Sequence, residues 1–267
     1  MRTFFPGKLP RARHAWIPHY SALIAGTTPA AAPASLDYTK GLPTELGEML
    51  NNAEGDCAEA AYGHFLQIDS FLATGSMLTL PDASIQALAV TQGLDPSNPA
   101  AFQGTVLQSL LSLLVQGVTM PDGSVQKLFG FCELDPRNDA DLNLATYQCG
   151  ALYVGSNIPA YLEAYFSPGS TWDVQPSGDQ TSAGGHCWLS ARYRPVADGR
   201  FQRGVITWGS YDYEATPAFW DANVDECYAL LSPAAIARNG GTFAGLTVAQ
   251  WEQQMNAIRM AATRRAA

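Results

Sequence analysis

The stretch Asn51-Asn52-Ala53-Glu54-Gly55-Asp56-Cys57 leads directly into a helical pattern. The residues that recur every three or four positions are Ala61, His64, Phe65, Ile68, Phe71 and Leu72. Asp56 can cap the start of this helix and Gly75 can end it. A thiol in the first turn of a helix lies where the helix dipole favours the thiolate. The sequence therefore predicts that Cys57 is a reactive cysteine, although most lone cysteines are small buried core residues.

A candidate base for this thiol lies far along the chain. Gly184-Gly185-His186 begins a β-like run, and His186 follows Cys57 by 129 residues. A histidine brought in by a distant strand can act as base or ion-pair partner for a thiol, and the glycines before it leave room for a substrate. His64 is the rival, but it falls within the apolar stripe of the helix, so we predict a core role for it.

The order of side-chain amide, cysteine, Gly-Gly-His and Thr-Trp-Gly resembles that of the papain-like cysteine peptidases over roughly residues 41 to 232. The resemblance implies that Cys57 is the nucleophile, that His186 is the catalytic histidine and that Asn51 binds the oxyanion together with the Cys57 amide. Asn51 stands where the family usually has glutamine.

The family's Asn-Ser-Trp-Gly element is only partly present. Trp208-Gly209 matches its end and Thr207 matches its serine, but Ile206 occupies the position of the asparagine that orients the histidine. Isoleucine cannot accept the second proton of an imidazole. The candidates to replace it are Asp212, Glu214 and Gln202. The 56 residues that precede Cys57 leave no room for the family's usual inhibitory prodomain.

A set of short motifs is similar to a divergent papain-like group of bacteriophage and prophage genomes. The matching segments are Gly7-Lys8-Leu9-Pro10, Gly55-Asp56-Cys57, Gly185-His186, Thr207-Trp208-Gly209 and Pro217-Ala218-Phe219-Trp220. The resemblance implies a papain-like α+β fold and a phage-associated protein.

The order of elements also indicates an α+β protein, because helical patterns come first and strands of an antiparallel sheet follow. Helices are predicted near 83–92, 99–116, 139–149 and 217–223, and strands near 125–134, 151–155, 186–193, 204–208 and 226–231. Residues 1–35 are rich in proline and are predicted to form an extended N-terminal arm. Residues 36–267 are predicted to form one papain-like domain whose last helix carries Val248, Trp251, Met255 and Ile258.

Composition narrows the class of protein. The net charge of −9 argues against direct binding of nucleic acid, which needs clustered Lys and Arg. Five scattered cysteines do not suggest a disulfide framework. We expect no metal and no cofactor, because no His/Cys set has ligand spacing and no glycine-rich phosphate loop follows a strand. The apolar run at 21–25 is too short for a signal or a membrane span, so we expect a protein of the bacterial host cytoplasm or of the phage virion, not one secreted by a classical signal.

Two functions from different classes follow. The first is a phage-associated thiol hydrolase that cleaves an amide or peptide bond of a protein or peptide substrate through a Cys57–His186 pair. The alternative is a catalytically dormant papain-like scaffold that serves as a virion structural protein. In that case the arm, which carries Phe4, Phe5, Trp16, Ile17 and Tyr20, would dock on neighbouring virion subunits rather than on its own domain.

Overall fold

The structure is a computed structural model that describes residues 4–11, 17–242, 246–253 and 255. The α-helices are α1 (Tyr20–Ile24), α2 (Cys57–Thr74), α3 (Asp82–Thr91), α4 (Leu107–Gln116), α5 (Asp139–Cys149), α6 (Pro217–Asn223) and α7 (Pro233–Asn239). The strands are β1 (Leu36–Asp37), β2 (Val118–Thr119), β3 (Val125–Gln126), β4 (Gly130–Leu134), β5 (Leu152–Pro159), β6 (Thr171–Trp172), β7 (Ser182–Ser190), β8 (Arg192–Pro195), β9 (Phe201–Thr207), β10 (Ser210–Ala215) and β11 (Val224–Leu231).

Nine of these strands form one sheet, in the order β1-β8-β9-β7-β5-β11-β4, with β10 beside β9 and β6 beside β10. All of its pairings are antiparallel except that of β6 with β10. Strand β7 lies between β5 and β9, and its residue His186 pairs with Ser156. The expected α+β architecture, with helices first and an antiparallel sheet after them, is confirmed.

Side-chain alternation along the strands divides the core into two clusters, one on each face of the sheet. On β7, Cys187 and Leu189 join the cluster that contains Cys57 and the helices α2 and α4. Trp188, between them, joins the other cluster, which also holds Trp172, Trp208 and Trp220.

Helix α2 is the central helix of the domain. It begins at Cys57 and ends at Gly75, whose φ of 74° lets its N–H reach the carbonyl of Phe71. All residues of its first half, from Cys57 to Phe65, are buried, as expected for a helix that is enclosed by other elements. Asp56 is at the N-cap position, as predicted, but its side chain makes no capping hydrogen bond.

Three predicted elements differ from the structure. The strand predicted near 186–193 is divided at Ala191 into β7, which already begins at Ser182, and β8. The helix predicted near 99–116 begins only at Leu107, because Gly104 has a φ of 99° that no right-handed helix adopts; a short 3-10 turn at Pro99–Ala101 precedes it. The strand predicted near 125–134 is divided into β3 and β4.

The N-terminal arm packs along its own domain over the described part of its length. It is also not wholly extended, because α1 interrupts it, and Tyr20 and Leu23 of this helix are each 1% exposed in the tryptophan-rich cluster. Pro18 accepts a hydrogen bond from the N–H of Glu133 at 2.9 Å. The expectation that the arm docks on neighbouring subunits rather than on its own body is therefore wrong for these residues, since the domain itself covers their apolar side chains. Trp16 lies outside the described residues.

The C-terminal segment is helical at 248–253, and Trp251 packs against Gly130 of β4. Ile258 of the predicted last helix lies outside the described residues. In the part of the chain that the structure describes, no helix combines the length and the apolarity that crossing a membrane requires.

Candidate active site

Cys57 lies at the meeting point of α2 and β7. Its Sγ atom accepts a hydrogen bond from the backbone N–H of Cys187 at 3.2 Å, and the peptide that carries this N–H is the one joining His186 to Cys187. Cys57 therefore contacts the residue that follows His186 in the chain. Within the described residues, however, no hydrogen bond joins the side chains of Cys57 and His186 directly, because the Nδ1 atom of His186 has no hydrogen-bond partner there.

The thiol is not activated in this state. Burial raises the pKa of Cys57, the N–H of Cys187 opposes the shift, and the carboxyl groups of Glu59 and Asp56 add to it. The direction is opposite to the one expected from the helix N-terminus, because Cys57 is 1% exposed and water does not reach the sulfur.

Two buried carboxyl groups lie beside the thiol. Burial, together with the charges of Glu59 and Glu54, raises the pKa of Asp56 to about 9. Burial likewise raises the pKa of Glu59 to about 7, although a hydrogen bond from Thr105 Oγ1 at 2.7 Å opposes this. Asp56 is therefore a neutral acid near pH 7, which reduces the negative charge that would oppose a thiolate at Cys57.

The imidazole of His186 is held between aromatic rings. It stacks on the indole of Trp208 with centroids 4.8 Å apart and meets the ring of Phe4 edge-on at 5.5 Å. Burial lowers the pKa of His186 to about 3, so the ring is neutral at physiological pH. A neutral imidazole is the form that can accept a proton from a thiol.

Thr207 supplies the polar partner that Ile206 cannot. Its Oγ1 atom lies 2.8 Å from Nε2 of His186. Ile206 pairs with Leu189 and points into the cluster of Cys57, because successive residues of β9 face opposite sides of the sheet.

The three substitutes considered from the sequence, Asp212, Glu214 and Gln202, have other contacts. Glu214 accepts hydrogen bonds from Arg194 and Gln202, and the carbonyl oxygen of Asp212 accepts one from Gly169. The sequence aligns Thr207 with the family's serine and does not predict its contact with His186. The signal that could have predicted it is a hydroxyl at the end of a strand next to the strand of the histidine.

Trp208 and Gly209 form the two-residue turn between β9 and β10. Both have positive φ, 47° and 73°, which is the pattern of a type I′ hairpin turn. Tryptophan adopts this region rarely, so the backbone of the turn is strained. In this conformation the indole of Trp208 stacks on the imidazole of His186. The turn also fixes the loop before the nucleophile, because the carbonyl of Gly209 accepts a hydrogen bond from Leu46 at 2.8 Å.

Asn51 is buried near the start of α2. Its Nδ2 atom donates a long hydrogen bond of 3.4 Å to Oδ1 of Asp56. His64, the rival histidine, is 1% exposed in α2, with Nδ1 2.8 Å from Oε1 of Gln67, which agrees with the predicted core role.

The N-terminal arm passes close to Cys57. Gly7 and Lys8 donate their N–H groups to the carbonyl of Gly185 at 3.2 Å each. On the other side, Thr105 donates to the carbonyl of Gly7 at 2.7 Å and accepts from Leu9 at 2.9 Å. The arm thus pairs with Thr105 of the helical half on one side and with Gly185 of the sheet half on the other.

Glycines on both sides make this close approach possible. A Cβ atom on Gly7 would lie 2.1 Å from the carbonyl oxygen of Gly55 and 3.0 Å from the backbone nitrogen of Cys57. A Cβ atom on Gly104 would lie 2.3 Å from the carbonyl of Gly7, and one on Gly185 would lie 2.2 Å from the carbonyl of Lys8. We call the channel lined by Gly55, Gly104, Gly184 and Gly185 the glycine groove.

A wide cavity of about 680 Å³ opens on the far side of Trp208. Three acidic residues, Glu45, Glu48 and Asp212, contribute to its lining. No group of three or more His, Cys, Asp or Glu within the described ranges could hold a metal ion.

Comparison with solved structures identifies the architecture. Xylellain, a cysteine protease from Xylella fastidiosa, superposes with a TM-score of 0.60 at 12% identity, over 86% of this chain and 96% of that one. The fold is that of the papain-like cysteine peptidases. Digestive procathepsin L 3 of Tenebrio molitor larval midgut gives 0.57 at 15% identity, over 85% and 76% of the two chains. The Amb a 11 cysteine protease of ragweed pollen, in its proform, gives 0.54 at 13% identity, over 80% and 73%.

Comparisons of the sequence itself found no match. No family model matches the chain. No curated protein matches it either.

Proposed function

We propose that the protein is a papain-like thiol hydrolase that cleaves a peptide or amide bond with Cys57 as nucleophile and His186 as its base. The observation that carries the proposal is the 3.2 Å hydrogen bond from the N–H of Cys187, the residue after His186, to the sulfur of Cys57. It brings a helix-initiating thiol to the strand of a histidine whose Nδ1 atom is uncommitted within the described residues.

Thr207 supports the role of His186 by fixing its tautomer. If the hydroxyl of Thr207 accepts the Nε2–H proton, the lone pair of the imidazole is on Nδ1. This nitrogen then accepts the thiol proton of Cys57, and the imidazolium that forms keeps its hydrogen bond to Thr207.

The reaction follows from these groups in two stages. The thiolate of Cys57 attacks the carbonyl carbon, the C–N bond breaks, and the amine leaves with the proton that His186 took from the thiol. Water then adds to the thioester with His186 as base, the C–S bond breaks, and the acid and the free thiol are released. The Cys57 backbone N–H at the start of α2 and the Asn51 amide are the donors for the oxyanion, once Asn51 exchanges its 3.4 Å bond to Asp56 for the substrate.

The described state is a resting state of this hydrolase. The arm occupies the glycine groove, and Cys57 and His186 are 1% and 0% exposed beneath it. A substrate can reach the sulfur only after residues 4–9 leave the groove, so activity requires displacement of the arm.

The experiment is an assay of the full chain carrying Gly7→Ala, whose added Cβ cannot fit against Gly55. The variant is incubated with an unfolded protein substrate and the products are sequenced by mass spectrometry. We expect new peptide termini with Gly7→Ala and none when Cys57→Ser is added. Cleavage that survives Cys57→Ser, or no cleavage although Cys57 has become accessible to alkylation, would refute the hydrolase.

A dormant papain-like scaffold is the second candidate. The burial of both site residues and the raised pKa of Cys57 favour it, because neither supports turnover in the described state. Its association with bacteriophage, as a capsid, decoration or connector component, is supported by the sequence motifs, and is tested by asking whether the protein is present in purified virions at high copy number. If the protein is a dormant scaffold, displacement of the arm should make the Cys57 thiol accessible but unreactive.

A further inference from the structure

Lys8 of the arm is held in a charged pocket of the domain, close to Cys57. Its Nζ atom lies 2.9 Å from Oδ2 of Asp225 and 3.0 Å from Oε1 of Glu226, and its side chain is 3% exposed. Burial alone would lower the pKa of Lys8, but the charges of Glu226 and Asp225 outweigh it and raise the pKa. The ammonium is therefore charged and fully paired.

The pocket is built by the domain rather than by the arm. Its carboxylates stand on β11, and its floor is Gly155 of β5, where a Cβ atom would lie 2.4 Å from Cε of Lys8. The hydroxyl of Tyr228 donates to the second oxygen of Glu226 at 2.6 Å and fixes the carboxyl group. The carboxyl groups and the floor of the pocket therefore belong to the domain and include no residue of the arm.

The emptied pocket would be unfavourable. Glu226 is 1% exposed with the arm in place, and departure of Lys8 removes its cation and lets water reach the carboxyl group. The adjacent carboxyl groups of Asp225 and Glu226 then repel each other, and a cationic side chain from another molecule relieves this repulsion. The pocket therefore selects for a cation.

The rest of the contact is made by backbone. Gly185 and Thr105 bind the arm through N–H and carbonyl groups that any extended peptide offers. These hydrogen bonds give affinity without regard to sequence, whereas the pocket distinguishes side chains. The residue before the lysine is also restricted, since at Gly7 any side chain would meet the carbonyl of Gly55.

We propose that the substrate of this site is an extended polypeptide segment whose lysine side chain occupies the pocket of Gly155, Asp225 and Glu226. A glycine precedes this lysine in the substrate. The arm binds in the same way within the chain and mimics the substrate. That the bound segment is a substrate rests on the proposed hydrolase function. The preference of the pocket for lysine does not. Lysine is favoured over arginine, because the carboxylates hold a compact ammonium and the floor at Gly155 leaves no space for a longer planar group. The cavity lined by Trp208 also has acidic residues in its lining, so it too favours a positively charged segment.

The test is equilibrium binding of fluorescent hexapeptides to the full chain carrying Gly7→Ala, followed by anisotropy. The probes are Phe-Pro-Gly-Lys-Leu-Pro and its analogues with glutamine or arginine in place of lysine. We expect the lysine peptide to bind at least about tenfold more tightly than the glutamine peptide, and we expect Asp225→Asn with Glu226→Gln to remove the difference. Lys8→Gln, which empties the pocket by another route, serves as a second opened protein if Gly7→Ala does not fold.

The outcomes separate this inference from the proposed activity. Preferred binding of the lysine peptide without its cleavage upholds the pocket and rejects the hydrolase. Cleavage of lysine and glutamine peptides at equal rates with equal affinities upholds the hydrolase and overturns the pocket. Equal affinities without cleavage, including no binding of either peptide, also overturn the pocket.

Discussion

The Nε2 atom of His186 lies 2.8 Å from the hydroxyl oxygen of Thr207, at the end of the neighbouring strand. In the hydrolase proposed above, this contact would orient the imidazole. A hydroxyl can accept the Nε2–H proton as an amide oxygen does, so the loss of asparagine at Ile206 does not leave the imidazole without support.

Removal of this hydroxyl should impair turnover without unfolding the domain. In the Gly7→Ala background, we expect Thr207→Val to lower kcat about 10- to 100-fold, a part of the roughly 10²–10⁴-fold that general acid–base catalysis contributes. Thr207→Ser should restore most of the rate, because it keeps the oxygen. The check is kcat and KM over a range of pH. A loss that serine does not restore, with an unchanged pH profile, would mean that Thr207 acts only through packing.

Gly7→Ala should expose the thiol. The added Cβ would lie 2.1 Å from the oxygen of Gly55, and overpacking of this kind costs about 1–3 kcal/mol, which raises the small population of molecules with the arm displaced by roughly tenfold or more. We expect iodoacetamide to label Cys57 at least about tenfold faster than in the wild type, as measured by mass spectrometry. The matched control is Pro10→Ala, at an exposed arm position. Equal labelling of the two variants would show that the arm does not shield the sulfur.

His186 should govern the reactivity of the opened thiol. All five cysteines are buried, so the wild type should label slowly at every one of them. In Gly7→Ala, Cys57 should label fastest near neutral pH, and His186→Ala should slow it selectively, because the imidazole no longer takes the thiol proton. The other four thiols provide the internal reference. If His186→Ala leaves the Cys57 rate unchanged, the pair is not functional.

Much of this architecture could be predicted from sequence patterns. The start and end of α2 followed from Asp56 and Gly75, and the bounds of α5 and α6 followed from apolar periodicity and a proline at the first helical position. These signals are local, so they do not depend on what packs against the element.

The parts that could not be predicted are those that depend on long-range packing. Nothing local to Lys8 indicates that its partners are Asp225 and Glu226, more than two hundred residues away. The thiolate expected at Cys57 has the same limit, because the helix N-terminus is a local feature whereas the burial that raises the pKa of Cys57 depends on the distant elements packed around it.

Lys8 should stabilise the closed domain. Replacing one member of a buried ion pair leaves the other uncompensated and typically costs about 3–5 kcal/mol. We expect Lys8→Met to lower the free energy of unfolding by an amount near this range, and Glu226→Gln to recover part of the loss in the double variant. Urea denaturation of the four proteins of this cycle is the measurement. An additive double variant would show that the two residues are not coupled.

The last prediction concerns the buried carboxyl group of Asp56. Its pKa is raised from 3.8 to about 9 in the folded protein, so between these values the folded state holds a proton that the unfolded state has lost. Stability therefore falls as the pH rises through this window, by roughly 1.4 kcal/mol per pH unit while the difference in protonation is complete.

Asparagine at position 56 keeps the shape of the neutral acid and removes this titration. Between pH 7 and 8.5 the wild type should lose stability relative to Asp56→Asn, and the difference should level off above about pH 9, where the folded carboxyl group ionises as well. His64 and His186 do not disturb this range, because their pKa values are lowered to about 4 and about 3 and their contribution to stability is lost only as the pH falls below the unfolded value of 6.5. Thermal unfolding of both proteins across the range measures the difference. Parallel curves would show that Asp56 is already ionised at neutral pH, and the thiol of Cys57 would then have a negative charge beside it rather than a neutral acid.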